Sequence, residues 1–95
     1  MSKKDTLEVL VRDGYILVFN MDDLDVLRTA EALMQAGIYN MEVTCRISHP
    51  LEKIARLKKE MPNFKVGAAS LVDDPGFVAI YNRTHSTDPL PTVQQ

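Results

Sequence analysis

Ninety-five residues make one domain at most and allow only a modest core. An apolar share of 45%, a charged share of 25% and a net charge of −2 are those of an ordinary globular chain, without the basic surplus that nucleic acid or an anionic membrane calls for. No run of about 18 apolar residues occurs, so no membrane partner is expected, and the start Met1 to Asp5 leads into no signal-peptide core. The lone cysteine, Cys45, excludes an internal disulfide framework and fits a reducing, cytoplasmic setting. His49 and His85 stand apart from each other and from Cys45, so no metal site and no cofactor is expected. In chain order, a short helix is predicted over 6–12, then a strand over 15–19 (YILVF). A helix over 23–36 follows, with Val26, Leu27, Ala30, Leu33, Met34 and Gly37 on its inner side, Asp22 or Asp23 as its cap and Gly37 as its left-handed stop. The second strand runs over 40–45 and the second helix over 50–61, with Pro50 in its first turn and Leu51, Ile54, Ala55 and Met61 as its inner stripe. A third strand spans 65–70. Asp73-Asp74-Pro75-Gly76 reads as a turn, and 77–81 (FVAIY) as a fourth strand or a loop on the rim. The segment 76–91 looks like an insertion, and 90–95 like the first turn of another helix.

Strands and helices alternating at this spacing predict βαβ units and a parallel sheet, an α/β fold. Within it, Asn40 to Arg46 is the informative stretch. Alternation puts Glu42, Thr44 and Arg46 on one side and Met41, Val43 and Cys45 on the other. A strand covered on both faces should be nearly all apolar, and a buried carboxylate costs several kcal/mol unless paired or neutralised. Either Glu42 has a use, or this is a half-exposed strand with a plain Glu42–Arg46 surface contact.

The order Ala30-Glu31-Ala32-Leu33, Ala36-Gly37-Ile38, Glu42-Val43-Thr44-Cys45-Arg46, Leu51-Glu52-Lys53-Ile54, Pro62 and Val66-Gly67-Ala68-Ala69-Ser70 resembles the N-terminal part of the 2-keto-3-deoxy-6-phosphogluconate aldolases, a family that includes the 4-hydroxy-2-oxoglutarate aldolases. The E-V-T-x-R element, followed one βα unit later by V-G-A-x-[ST], is specific as a pair. The resemblance implies a class I aldolase on a (β/α)₈ barrel, trimeric in the family, that cleaves a 2-keto-3-deoxy sugar acid to pyruvate and an aldehyde through a lysine Schiff base. It places proton transfer on Glu42 and carboxylate binding on Arg46 and Ser70. Thr44 joins them as a residue of the same face with a less defined part. The implied partner is a small keto acid, with no cofactor. A guanidinium offers a carboxylate two parallel donors and a serine hydroxyl a third. Burial inside a closed barrel raises a carboxylate's pKa, which suits a group that both takes and gives a proton.

The resemblance has gaps. A full barrel takes about 250 residues, so residues 1–95 are expected to be the N-terminal portion of one barrel domain, about three βα units of it. No lysine here matches the Schiff-base position: Lys3 and Lys4 are terminal, Lys53, Lys58 and Lys59 lie on the second helix, and Lys65 opens the third strand at the wrong end. The 95 residues alone are therefore expected to be inactive. Ala69 stands where relatives often have glycine, and Ser70 where threonine is commoner. The alternatives are a small self-sufficient domain, a non-catalytic βα binding or assembly module, and another phosphate-handling barrel such as a thiamine phosphate synthase or an epimerase.

Overall fold

A computed structural model describes residues 2–93. Its elements alternate: α1 (Lys3–Asp13), β1 (Val18–Phe19), α2 (Val26–Gln35), β2 (Asn40–Thr44), α3 (Pro50–Glu60), β3 (Lys65–Ala69) and α4 (Pro75–Thr84). The strands form one parallel sheet in the order β1-β2-β3, with Val18 opposite Glu42 and Glu42 opposite Gly67. The expected α/β architecture of consecutive βα units is the one observed.

The turns follow local chemistry. Ser2 caps α1 by accepting from the Asp5 N–H at 3.1 Å, and Gly14 closes it at φ 81°. The stop of α2 is a Schellman motif: the Ile38 N–H reaches Leu33 O at 2.9 Å and the Gly37 N–H reaches Met34 O at 3.0 Å, with Gly37 at φ 86°. Only a residue without a Cβ takes that conformation at little cost. The cap of α2 is Asp25, not Asp22 or Asp23. Its Oδ1 accepts from the Leu27 and Arg28 N–H groups at 2.9 and 3.1 Å, because it sits directly before the first helical residue. Asp22 is used elsewhere, as described below.

The core lies between the sheet and the pair α2 and α3. Phe19, Met41 and Val43 point there and meet Val26 and Ala30 of α2, Leu57 of α3, and Ile47 and Phe64 from the turns. On α3 the expected inner stripe is half right. Ile54 and Met61 pack on the core, but Leu51 is only half-buried, Ala55 is exposed, and the fully buried residues are Pro50 and Leu57. The helix therefore turns residues 50, 54, 57 and 61 inward. Leu57→Ala would remove a completely buried side chain, at about 2–5 kcal/mol.

Two further expectations fail in detail. The ladder of β1 begins later than residue 15, because the Tyr15 carbonyl accepts from the Asn40 side chain at 3.0 Å instead of joining the sheet. Residues 77–81 are neither strand nor rim loop, because they lie within α4, the helix that follows β3 in the chain. The turn-forming letters are its start: Asp74 accepts from the Gly76 and Phe77 N–H groups at 3.0 and 3.2 Å, and Pro75 fills the first helical position. β-branched and aromatic content argued for a strand there, and the cap overrode it. The helix start expected over 90–95 runs into a turn at Val93 and beyond it leaves the described residues. Leu90 is held by both its backbone groups to the Asn82 amide at 2.8 and 2.9 Å.

Candidate functional site

The sheet face away from α2 and α3 carries Val18, Glu42, Thr44 and Gly67. Glu42 is half-exposed at the centre of β2, beside Gly67 on β3. A Cβ built on Gly67 would meet Glu42 Cγ at 3.6 Å, so glycine leaves the carboxylate side chain lateral room. Glu42 also lines a mainly apolar cavity of about 230 Å³, bounded by Thr6 and Leu10 of α1, Ile16, Asn40, Lys65 and Val66.

At the C-terminal end of the same face, Thr44 and Ser70 meet. The Thr44 hydroxyl donates to Ser70 Oγ at 2.9 Å, and the Arg46 N–H donates to Thr44 Oγ1 at 3.4 Å. Thr44 is buried and Ser70 exposed. Ser70 follows β3 with φ at 61°, in the left-handed region. A β-branched residue is a genuine outlier there, and serine supplies a hydroxyl without the branch.

Arg46 departs from the expected alternation. β2 ends at Thr44, the Cys45 N–H makes one further bond to Ala69 O at 2.8 Å, and Arg46 already belongs to the turn toward α3. It is exposed and makes no ion pair with Glu42, so the plain surface contact does not form. Arg46 borders a polar depression of about 130 Å³ with Cys45, Tyr81, Asp88 and Leu90. The Cys45 thiol is half-buried, and burial pushes its pKa up, the opposite of a reactive thiolate.

The turn that carries Arg46 is tied from two sides. Asp22 Oδ1 accepts from the Ser48 N–H at 2.9 Å and from Lys53 Nζ at 3.4 Å. The Ser48 N–H first, and then Lys53, hold the Asp22 carboxyl below its usual range. Asp88 Oδ1 accepts from the N–H of His49, itself left-handed at φ 51°.

A second polar cluster, absent from the sequence reading, sits at the other end of β2. Asp13 Oδ2 accepts from the Tyr39 N–H at 2.7 Å and from Asn40 Nδ2 at 2.8 Å. The Asp13 side chain is fully buried, while Arg12 contacts its Oδ1 at 3.4 Å and lies over the Tyr39 ring at 5.0 Å. Burial alone would push the Asp13 carboxyl up. The Asn40 amide, the Tyr39 N–H and Arg12 outweigh that and hold it below its ordinary value. Asn40 Oδ1 is buried without a hydrogen-bond partner among the described residues.

Among the described residues no group of three His, Cys, Asp or Glu side chains is placed to hold a metal ion, and no helix is long and apolar enough to cross a membrane. Parallel βα units with an acid in mid-strand and hydroxyls at the strand ends define a class of α/β protein whose polar groups gather at the C-terminal end of the sheet. The chain is related to the 2-keto-3-deoxy-6-phosphogluconate aldolases. A 2-dehydro-3-deoxy-phosphogluconate aldolase of Pseudomonas aeruginosa is 35% identical to it over 79 residues, which take in 81% of this chain and 36% of that enzyme. The chain thus spans about a third of the length of the curated relative it matches. No family model matches it, and no solved structure matches it significantly.

Proposed function

We propose that these residues are part of a class I aldolase, the N-terminal βα units of a (β/α)₈ barrel, and that the whole enzyme cleaves a 2-keto-3-deoxy sugar acid or its phosphate to pyruvate and an aldehyde. The observation that carries the reading is the shared face of Glu42, Thr44 and Ser70, with Arg46 in the turn directly beyond it. The aldolase relative and the two unpaired edges of a three-stranded parallel sheet support it as well.

In this reading a lysine from outside these residues condenses with the keto carbon, releasing water and forming an iminium that accepts the electron pair of the breaking carbon–carbon bond. Glu42 takes the proton of the hydroxyl that becomes the aldehyde, and returns a proton to the enamine carbon that becomes the pyruvate methyl. Arg46 and Ser70 hold the carboxylate so that the keto carbon stays in line with the amine. Closure of the barrel would cover the half-exposed Glu42 and the apolar Val18 beside it.

The test is borohydride trapping with pyruvate. A chain that includes the later strands should be trapped stoichiometrically on one lysine, whereas the 95 residues alone should not be trapped at any pH. Site-specific trapping on the isolated 95 residues would overturn this account of the nucleophile.

A further inference from the structure

We infer that Thr44 is a positioning residue that fixes the polarity of Ser70, making the Ser70 hydroxyl a committed donor toward a carboxylate. This deepens the reading of the open face as a keto-acid site and rests on it. The starting point is the Arg46 N–H, which can only donate, and which meets Thr44 Oγ1 at 3.4 Å. Thr44 Oγ1 therefore accepts, and its one hydrogen goes to Ser70 Oγ at 2.9 Å. Ser70 then has its oxygen engaged by Thr44, and its own hydrogen is left for the solvent side, where Ser70 is exposed.

The opposite polarity is disfavoured by burial. If Ser70 donated to Thr44, the Thr44 hydrogen would need another acceptor, and Thr44 is only 3% exposed. Among the described residues the Thr44 hydroxyl has hydrogen bonds only with Ser70 Oγ and the Arg46 N–H, and a buried hydroxyl hydrogen without an acceptor is costly. The relay thus runs one way, from backbone amide to Thr44 to Ser70, and each donation polarises the next.

A carboxylate presents acceptors on both oxygens, whereas its amide presents one acceptor and one NH₂. A fixed Ser70 donor suits the first and opposes the NH₂ of the second. A freely rotating serine hydroxyl would suit either. Thr44 accordingly contributes anion selectivity without touching the anion.

The experiment is ligand-observed saturation-transfer NMR on a chain that includes the later strands, with pyruvate and pyruvamide as probes. It compares the unaltered protein with Thr44→Val and Thr44→Ser. The unaltered protein should prefer pyruvate. Thr44→Val should weaken pyruvate binding roughly three- to tenfold, the scale of one charge-assisted hydrogen bond, while leaving pyruvamide binding unchanged. Thr44→Ser should restore the preference. Any of four results overturns the inference: no preference in the unaltered protein, an unchanged preference in Thr44→Val, equal losses for both probes, or no restoration by serine. The readout needs neither lysine nor turnover. Failure of imine trapping with the preference intact would sink the aldolase chemistry alone. Successful trapping with an indifferent Thr44→Val would sink this inference alone.

Discussion

The two ends of β2 use polar groups in opposite ways. At the N-terminal end, Asp13, the Asn40 NH₂, the Tyr39 N–H and the Tyr15 carbonyl bond to one another inside the protein, joining α1 and the approach to β1 onto the sheet. At the C-terminal end, Thr44, Ser70 and Arg46 form a chain that stops at an exposed hydroxyl, and Glu42 below them has no ion-pair partner among the described residues. One end turns its donors and the Asp13 carboxylate inward, leaving only Asn40 Oδ1 unpartnered among the described residues, and the other ends on a hydroxyl that faces solvent. In parallel βα folds, stability gathers at the first end and chemistry at the second.

The largest expected effect falls on the C-terminal end. In a chain that includes the later strands, Glu42→Gln should lower turnover by roughly 10²–10⁴-fold, the usual contribution of a general acid–base, while imine trapping with pyruvate persists. Normal turnover in that variant would erase the distinction between the ends. Asp13→Ala should do the reverse. It leaves the Tyr39 N–H and the Asn40 amide without their acceptor, so urea denaturation should report a loss of about 2–3 kcal/mol. The ratio of pyruvate to pyruvamide binding should not move.

The same carboxylate predicts a pH dependence. Folding lowers the Asp13 pKa, so its stabilisation is complete above the unfolded value of about 3.9 and is lost as pH falls from there through the folded-state value. Asp13→Asn should flatten the fall in stability over that acid window, and an unaltered acid limb would detach Asp13 from it. Arg46→Ala should weaken keto-acid binding by about 1.5–3 kcal/mol by direct titration, without changing the melting temperature, because the side chain is exposed. The smallest effect is expected from Gly67→Ala. Its Cβ would sit 3.6 Å from Glu42 Cγ, an ordinary contact, so stability should hold and only the mobility of the Glu42 side chain, read by ¹³C relaxation, should fall.

Much of this was legible in the residues because it repeats with a period. The parallel strands, the α2 stripe and the Gly37 stop follow from alternation, helical spacing and the need for a positive φ. Glu42 and Thr44 share a face by the same alternation. Arg46 does not follow it, because nothing in the letters marks where β2 yields to the turn. The α4 helix was misread because Asp74-Pro75-Gly76 signals a turn and a helix start equally well, and Phe77 to Tyr81 has strand-like composition. The Asp13–Asn40 pair was invisible for a different reason. It joins side chains 27 residues apart, and no local pattern encodes such a contact.

The strand order β1-β2-β3 bears on how the protein is made. Each strand pairs with the one synthesised just before it, so every loop that must close is about one βα unit long, and closure entropy grows only slowly with length. As chain leaves the ribosome, each new strand finds its template already in place. A bare parallel edge invites any passing strand, so the newest strand is exposed until the next one pairs with it, while the outer edge of β1 stays open as the sheet grows.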